Sequence, residues 1–352
     1  MAIPKFLEQL LTARGPSGHE TGPAGVWREA CAAFADEVGG DLVGSSFARV
    51  RGTADGPTLA IVGHIDEIGL HVSHIDDDGY VRFGQVGGWD PIVLVGQRVT
   101  LSTRNGPVSG VIARKPIHLL EDEERKKVPE LKDLHIDVGA KSAEETRELV
   151  RIGDVAVIDA EPRQLRHERV IARALDNRVG CYVAAEAARL VAESGRAPGD
   201  VLALAVAQEE TTFAGSRTSA FVHEPDVAVV VDLTFATDQP GVQLGPITKH
   251  DLDSGPVVAR GTTLHPLVFE QLYEAGEGED IPFTVESLGR GTGTDADAIH
   301  LSRAGVPTGL VSVPCRYMHS PVELVSLNDI EAAARLIAAF ARRLDPSISF
   351  QR

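Results

Sequence analysis

The chain reads as an α/β protein, with a mostly parallel sheet flanked by helices and interrupted by an inserted β-rich module. Three observations predict this. Val201–Ala207 and Val227–Val231 are nearly continuous apolar runs, the pattern of strands covered on both faces of a parallel sheet. Helical periodicity alternates with them: Val179, Val183, Ala187 and Leu190 fall along one face of Asp176–Ser194. From Gly69 to about Arg166 the texture changes to short strands separated by dense turns.

Taken in order, Phe6, Leu7, Leu10 and Leu11 give Lys5–Arg14 a helical face, which Gly15-Pro16-Ser17-Gly18 ends. A second helix is predicted from about Thr21 to Val38, closed by Gly39-Gly40 and followed by a strand toward Val50 and Arg51. Thr58–Gly63, after Asp55-Gly56-Pro57, reads as a buried strand. In the β-rich module, Asp76–Gly79 is a turn, and Asn105-Gly106 between Val99–Ser102 and Val108–Ile112 is a hairpin signal. Glu121–Lys127 is a mixed charge run of the kind that faces solvent, and Gly153–Ile158 reads as a strand. Then follow a helix at Ala296–Ala304, a strand at Pro307–Val313 and a closing amphipathic helix at Leu327–Leu344.

With 352 residues, 43% of them hydrophobic, the chain can bury a large core in two or three domains. A net charge of −17 argues against nucleic acid and anionic membrane as partners. No apolar run is long enough to span a bilayer. The N-terminus lacks a basic segment followed by an apolar one, so no leader is expected. Cys31, Cys181 and Cys315 are odd in number and lack metal-site spacing, which suits a reducing compartment; a cytoplasmic location is expected. Neither a Ser nucleophile elbow nor a phosphate-binding loop occurs.

Five segments carry potential chemistry. Gly63–Gly69 places His64 and Asp66 two residues apart at a strand end, where strand geometry turns both to one face. In parallel sheets that edge is where ligands bind. Asp176 opens a helix; alone it is as well explained as a cap complementing the helix dipole. Glu209 and Glu210 follow an apolar strand, where paired acids repel and lose hydration unless a cation joins them or they emerge into solvent. Asp232 ends another apolar run, and His319 follows a third strand; each alone is a weak signal. Together, one rim of one sheet can collect them all. Histidine with carboxylates suits zinc, cobalt or manganese, and two ions sharing a carboxylate is a known co-catalytic arrangement.

With these segments placed, the chain resembles the M42 family of metallo-aminopeptidases, the tetrahedral (TET) aminopeptidases. The resemblance runs through Gly15–Glu20, Gly63–Gly69, Leu134–Ala140, Ala174–Arg178, Gln208–Glu210, Gly293–Ala296 and Arg316–Glu323. It implies a zinc-peptidase-like catalytic domain with a mixed sheet over residues 1–66 and 168–352, and a dimerisation domain over 67–167. It implies His64 and Asp232 on one metal ion, Glu210 and His319 on the other, and Asp176 bridging them. Glu209 would be the general base, and Asp66 a carboxylate orienting the first site. A cis peptide is expected at Asp176-Asn177. Two divalent ions are implied, zinc or cobalt foremost, with manganese or magnesium as alternatives. Peptides with a free N-terminus would be the substrates, and dimers would assemble into a dodecamer.

Gly291–Asp295, including Gly293, Thr294 and Asp295, and Thr248–Asp253 are candidate walls of the substrate pocket. The chain departs from the family pattern at Gly63, where Ala is common, and across Thr248–Gly255. Alternatives on the same fold are a metal-dependent deacylase or carboxypeptidase. An endoglucanase fits less well, since Glu209 and Glu210 are neighbours and only two Trp and four Tyr are available as sugar platforms.

Overall fold

The structure, a computed structural model, describes residues 2–243, 245 and 248–352. Among them, eight strands form one mixed sheet in the order Glu37–Gly40, Ser46–Val50, Val201–Val206, Leu59–His64, Val227–Phe235, Thr308–Cys315, Val257–Gly261 and Thr284–Leu288. The four central strands, from Val201–Val206 to Thr308–Cys315, are mutually parallel, and Ser46–Val50 and Val257–Gly261 flank them antiparallel.

Alternation along these strands explains why they are apolar throughout. Ile61, Ala203, Val229 and Val311 pack with the helices Leu175–Glu193, Pro266–Gly278 and Leu327–Arg343, whereas Val62, Leu204, Val230 and Leu310 pack with Ala220, Ala296 and Ile299 on the opposite face. Both sides of each strand are therefore removed from water, which is where most of the burial free energy lies.

The long helix sits unusually close to the sheet. A Cβ on Gly63 would lie 2.3 Å from the backbone carbon of Gly180, and one on Gly180 would lie 2.3 Å from Asn177 Oδ1. Gly63 thus lets the helix carrying Asp176 pack directly onto the strand carrying His64. Trp27 Nε1 donates to Cys181 O at 2.9 Å and ties the second helix to the same place. Cys31, Cys181 and Cys315 are buried, free thiols.

The inserted segment forms a closed barrel of six strands, Gly69–Ile75, Val81–Val86, His135–Asp137, Gly106–Ala113, Arg98–Thr103 and Val155–Ile158, around its own apolar core. The Asn105-Gly106 hairpin is present, with Gly106 at φ +112. The charge run contains a short helix, Asp122–Arg125, with no buried residue. A three-stranded antiparallel sheet, Arg163–Gln164, Arg169–Ala172 and Glu323–Ser326, joins the barrel's exit to the segment before the last helix.

Two elements differ from expectation. The second helix stops at Cys31 rather than near Val38, because Glu37–Gly40 pairs antiparallel with Ser46–Val50. Asp41 holds that connection by accepting the backbone N–H groups of Val43, Gly44 and Ser45 at 2.9 Å each. The predicted helix Ala296–Ala304 is only Ala296–Ile299, followed by turns and by Arg303 in the left-handed region. No helix among the described residues is long and apolar enough to cross a membrane.

Candidate metal centre

The carboxyl ends of the parallel strands converge on one acidic cleft. His64 is the last residue of its strand, opposite Val206, the last of the neighbouring strand. Past Val206 the chain turns through Gln208, at φ +61, into the one-turn helix Glu209–Thr212. Asp232 lies within the strand Val227–Phe235, opposite Ser312. His319 follows the strand Thr308–Cys315 by four residues. Non-glycine residues in the left-handed region cluster here, with Ala174, Gln208, Phe213, Tyr317 and His319 all at φ between 56° and 62°. Such conformations mark a chain aimed by its surroundings rather than by local preference.

Asp176 faces both histidines. Its Oδ1 lies 3.2 Å from His64 Nε2, and its Oδ2 lies 3.6 Å from His319 Nε2. His319 Nε2 is also 3.6 Å from Glu210 Oε1, and His64 Nε2 is 3.7 Å from Glu209 Oε2. The Asp176-Asn177 peptide is cis, as the resemblance implied. Among the described residues, two groups of three have donors within 4.8 Å of one another: His64, Asp176 and Glu210, and His64, Glu209 and Asp232. The structure therefore brings the five anticipated ligands and Glu209 together, but with His64 rather than Asp176 common to both groups. The same closeness sets the electrostatics of His64. Burial disfavours the charged ring, yet Glu209, Asp176 and Asp66 outweigh it and hold the His64 pKa well above its ordinary value.

The carboxyls themselves are out of balance. Burial first, then Asp232, Asp295 and Glu210 acting against His64, pushes Glu209 up to about 10. Burial and Asp176 hold both Glu210 and Asp232 well above the carboxylate range. His64 Nδ1 and Asp176 Oδ1 are buried without a well-aligned hydrogen bond, although Asp66 Oδ1 approaches the first to 3.4 Å and His64 Nε2 the second to 3.2 Å. A dense set of carboxylates with two imidazoles, unable to ionise fully by itself, is a donor set that divalent ions satisfy.

Around these donors is a supporting layer. Asp66 is fully buried; its Oδ1 and Oδ2 accept the backbone N–H groups of Glu209 and Glu210, each at 3.1 Å. It thus positions the Glu209–Glu210 turn as well as facing His64. Glu323 accepts the backbone N–H of Asp176 at 3.0 Å and that of His319 at 2.9 Å, one with each oxygen. Glu67 accepts the Gly15 N–H at 3.0 Å and pairs with Arg173 and with Arg178, the latter at 3.2 Å. Sequence reasoning assigned no role to Glu67 or Glu323. Both lie inside recognised motifs, but their partners are distant in the chain. From the barrel, Gly87 and Gly88 close over the cleft: a Cβ on Gly87 would lie 3.2 Å from Glu210 Oε2, and one on Gly88 3.5 Å from His319 Nδ1.

A cavity of about 560 Å³ opens beside the cluster. Gly293 and Thr294 line it, in a loop fixed by Asp297, which accepts the N–H groups of Thr292 and Gly293 at 2.8 and 2.9 Å. Asp295 departs from the expected wall position. It is fully buried and does not line the cavity, and burial pushes its pKa up to about 6. Thr248–Asp253 does not line the cavity either. Asp251 accepts from Thr237 Oγ1, and Asp253 from Ser326 and Asn328, so this segment is drawn toward the start of the last helix.

Sheet, inserted barrel and converging His and carboxylate donors define a metal-dependent hydrolase. A family model described as M42 glutamyl aminopeptidase matches residues 44–336, and the chain belongs to that family. The lysyl aminopeptidase of Pyrococcus furiosus is 34% identical over 97% of each chain. A TET aminopeptidase from a marine-sediment Thaumarchaeota archaeon superposes with TM-score 0.91 at 36% identity, covering 97% of this chain and 96% of its own. The Pyrococcus horikoshii TET1 peptidase, which assembles into a tetrahedron or a large octahedral shell, superposes with TM-score 0.85 at 31% identity, covering 97% and 99%. The protein is an aminopeptidase, a metal-dependent hydrolase of peptide bonds.

Proposed function

We propose that the protein removes the N-terminal residue of peptides at a dinuclear centre in which Asp176 is shared between the ions. The observation that carries this reading is the placement of Asp176, with one carboxylate oxygen toward His64 and the other toward His319. His64 and Asp232 would complete one site, and Glu210 and His319 the other. Zinc or cobalt suits these donors best, with manganese or magnesium as alternatives. Bound there, two divalent ions would lower the pKa of a water toward neutrality and polarise the scissile carbonyl.

The chain's own part is proton handling and orientation. Glu209, its Oε2 3.7 Å from His64 Nε2, takes the proton of the attacking water and delivers it to the departing amine. Water adds to the carbonyl carbon, the C–N bond breaks, and the products are a free amino acid and a peptide one residue shorter. Asp66 fixes Glu209 by its backbone and faces the rear of the His64 ring. Glu323 fixes the segments bearing Asp176 and His319. Glu209 also falls in one three-donor group, so a ligand role competes with the base role; metal content of Glu209→Gln separates the two.

Assembly into a homo-oligomer is part of the reading. The inserted barrel is the proposed dimer contact and a dodecamer the proposed end state, supported by the assemblies described for the TET1 relative. A mass in solution near that of the single 37.5 kDa chain would contradict it. A cytoplasmic site of action is proposed with it.

The test is metal stripping followed by readdition of zinc, cobalt, manganese or magnesium, assayed on free, N-acylated and C-terminally extended peptides. Metal-dependent release from free N-termini alone is expected. Release from acylated peptides would favour a deacylase, and release from C-termini a carboxypeptidase. The family name and the relative's name point to glutamyl and to lysyl substrates, so kinship fixes the reaction and leaves the side chain open.

A further inference from the structure

We propose that the cavity beside the metal centre receives a long cationic N-terminal side chain, lysine or arginine, and that Glu286 holds its charged head. The proposal rests on the aminopeptidase reading and adds the substrate class.

The cavity's lining is of mixed chemistry. Beside the donor cluster and several hydroxyls, it includes the apolar side chains of Phe213, Phe235, Leu288, Leu310 and Met318, and it includes Glu286. Glu286 and Leu288 belong to the edge strand Thr284–Leu288 and, two residues apart, share one of its faces. Among the described residues, Glu286 forms no hydrogen bond and no ion pair. Among the described residues no lysine or arginine lines the cavity, and the imidazoles that do, His64 and His319, belong to the metal centre. Burial pushes the Glu286 carboxyl above its ordinary range, and no cation offsets that. A half-buried carboxylate without a partner, in a cavity that also presents apolar side chains, is a site with one interaction left to make.

Lysine and arginine supply both halves of the match: an aliphatic stem for the apolar side chains and a terminal cation for the carboxylate. An N-terminal glutamate would bring a second anion to Glu286. A leucine or methionine would meet the apolar side chains but leave the carboxylate dehydrated. Sites built around an unpaired polar group discriminate strongly against ligands that leave it unpaired.

The experiment uses the metal-loaded full-length enzyme with fluorogenic amides of lysine, arginine, norleucine, leucine and glutamate. Norleucine is lysine without its amine, so the ratio of kcat/KM for lysine over norleucine isolates the cation. Wild-type enzyme should favour lysine and arginine. Glu286→Gln should lower the lysine-to-norleucine ratio by roughly 10- to 150-fold, the loss of one charge-assisted hydrogen bond. Glu286→Arg should turn the preference toward glutamate. Free lysine should inhibit more strongly than free norleucine, and Glu286→Gln should erase that difference, a readout of binding apart from turnover.

An unchanged ratio in Glu286→Gln would overturn the proposal. So would an equal loss on every substrate, which would place Glu286 on the common α-ammonium group or in the strand's support. Failure of wild-type enzyme to release any of these residues would overturn the aminopeptidase reading itself, so the two failures are distinguishable.

Discussion

Asp66 Oδ1 lies 3.4 Å from His64 Nδ1, on the side of the ring turned away from Asp176 and Glu209. A carboxylate behind a metal-binding imidazole selects the tautomer that leaves Nε2 free and raises its basicity. Asp66→Asn should therefore weaken metal binding by about 10- to 100-fold, measured by chelator competition on the stripped protein. Unaltered affinity would show that Asp66 serves only the backbone of the Glu209–Glu210 turn.

Glu209→Gln should hold nearly the wild-type metal content and lose about 10²- to 10⁴-fold in kcat, the range for removing a general acid–base group. Loss of one ion from this variant would reassign Glu209 as a ligand beside His64 and Asp232. Retention of near-normal turnover would remove it from the chemistry altogether.

Glu323 spans two segments that both carry ligands. Gln in its place can accept only through its carbonyl oxygen and turns an NH₂ toward one of the two N–H groups it must satisfy. Glu323→Gln is expected to lower the thermal midpoint and to weaken metal binding, with the His319 side losing most. A variant matching wild type in both melting and metal titration would contradict the positioning role.

The metal-stripped protein should lose stability as pH rises. Glu209 is pushed up to about 10, first by burial, and Glu210 and Asp232 are raised as well, whereas the same groups ionise near pH 4 in the unfolded chain. His64, also raised, acts in the same direction. Between those limits the folded state binds more protons than the unfolded one, so stability is full at the acid end and declines upward. Melting temperatures of stripped protein should fall from about pH 5 to about pH 9. Loaded protein should resist that fall, because ligands must shed protons to bind metal. A stripped protein that becomes more stable across this range would contradict the electrostatics of the cleft.

What the sequence made legible follows from how local each signal was. The buried strands announced themselves as apolar runs, and the residues just past them, His64, Glu209, Glu210 and Asp232, were conspicuous because polar groups follow so much hydrocarbon. His319 and Asp176 were ordinary by themselves and gained meaning only beside the others. Of the edge strand Glu37–Gly40, Glu37 and Val38 read as the end of a helix and the glycines as its stop, because the pairing with Ser46–Val50 is set by the Asp41 turn. Glu67, Glu323 and Glu286 carried no local mark. The first two are defined by partners 50 to 150 residues away, such as Gly15 and Asp176, and the third by a cavity assembled from segments scattered between His64 and His319.

The bridging role of Asp176 is tested most directly by counting metal. Wild-type protein and Asp176→Ala would be loaded with zinc, dialysed and measured by inductively coupled plasma mass spectrometry, with circular dichroism confirming that the variant is folded. About two ions per chain are expected in the wild type and less than one in the variant, since removing a shared ligand weakens both sites. A wild type saturating at one ion, or a variant retaining two, would contradict the shared-aspartate centre.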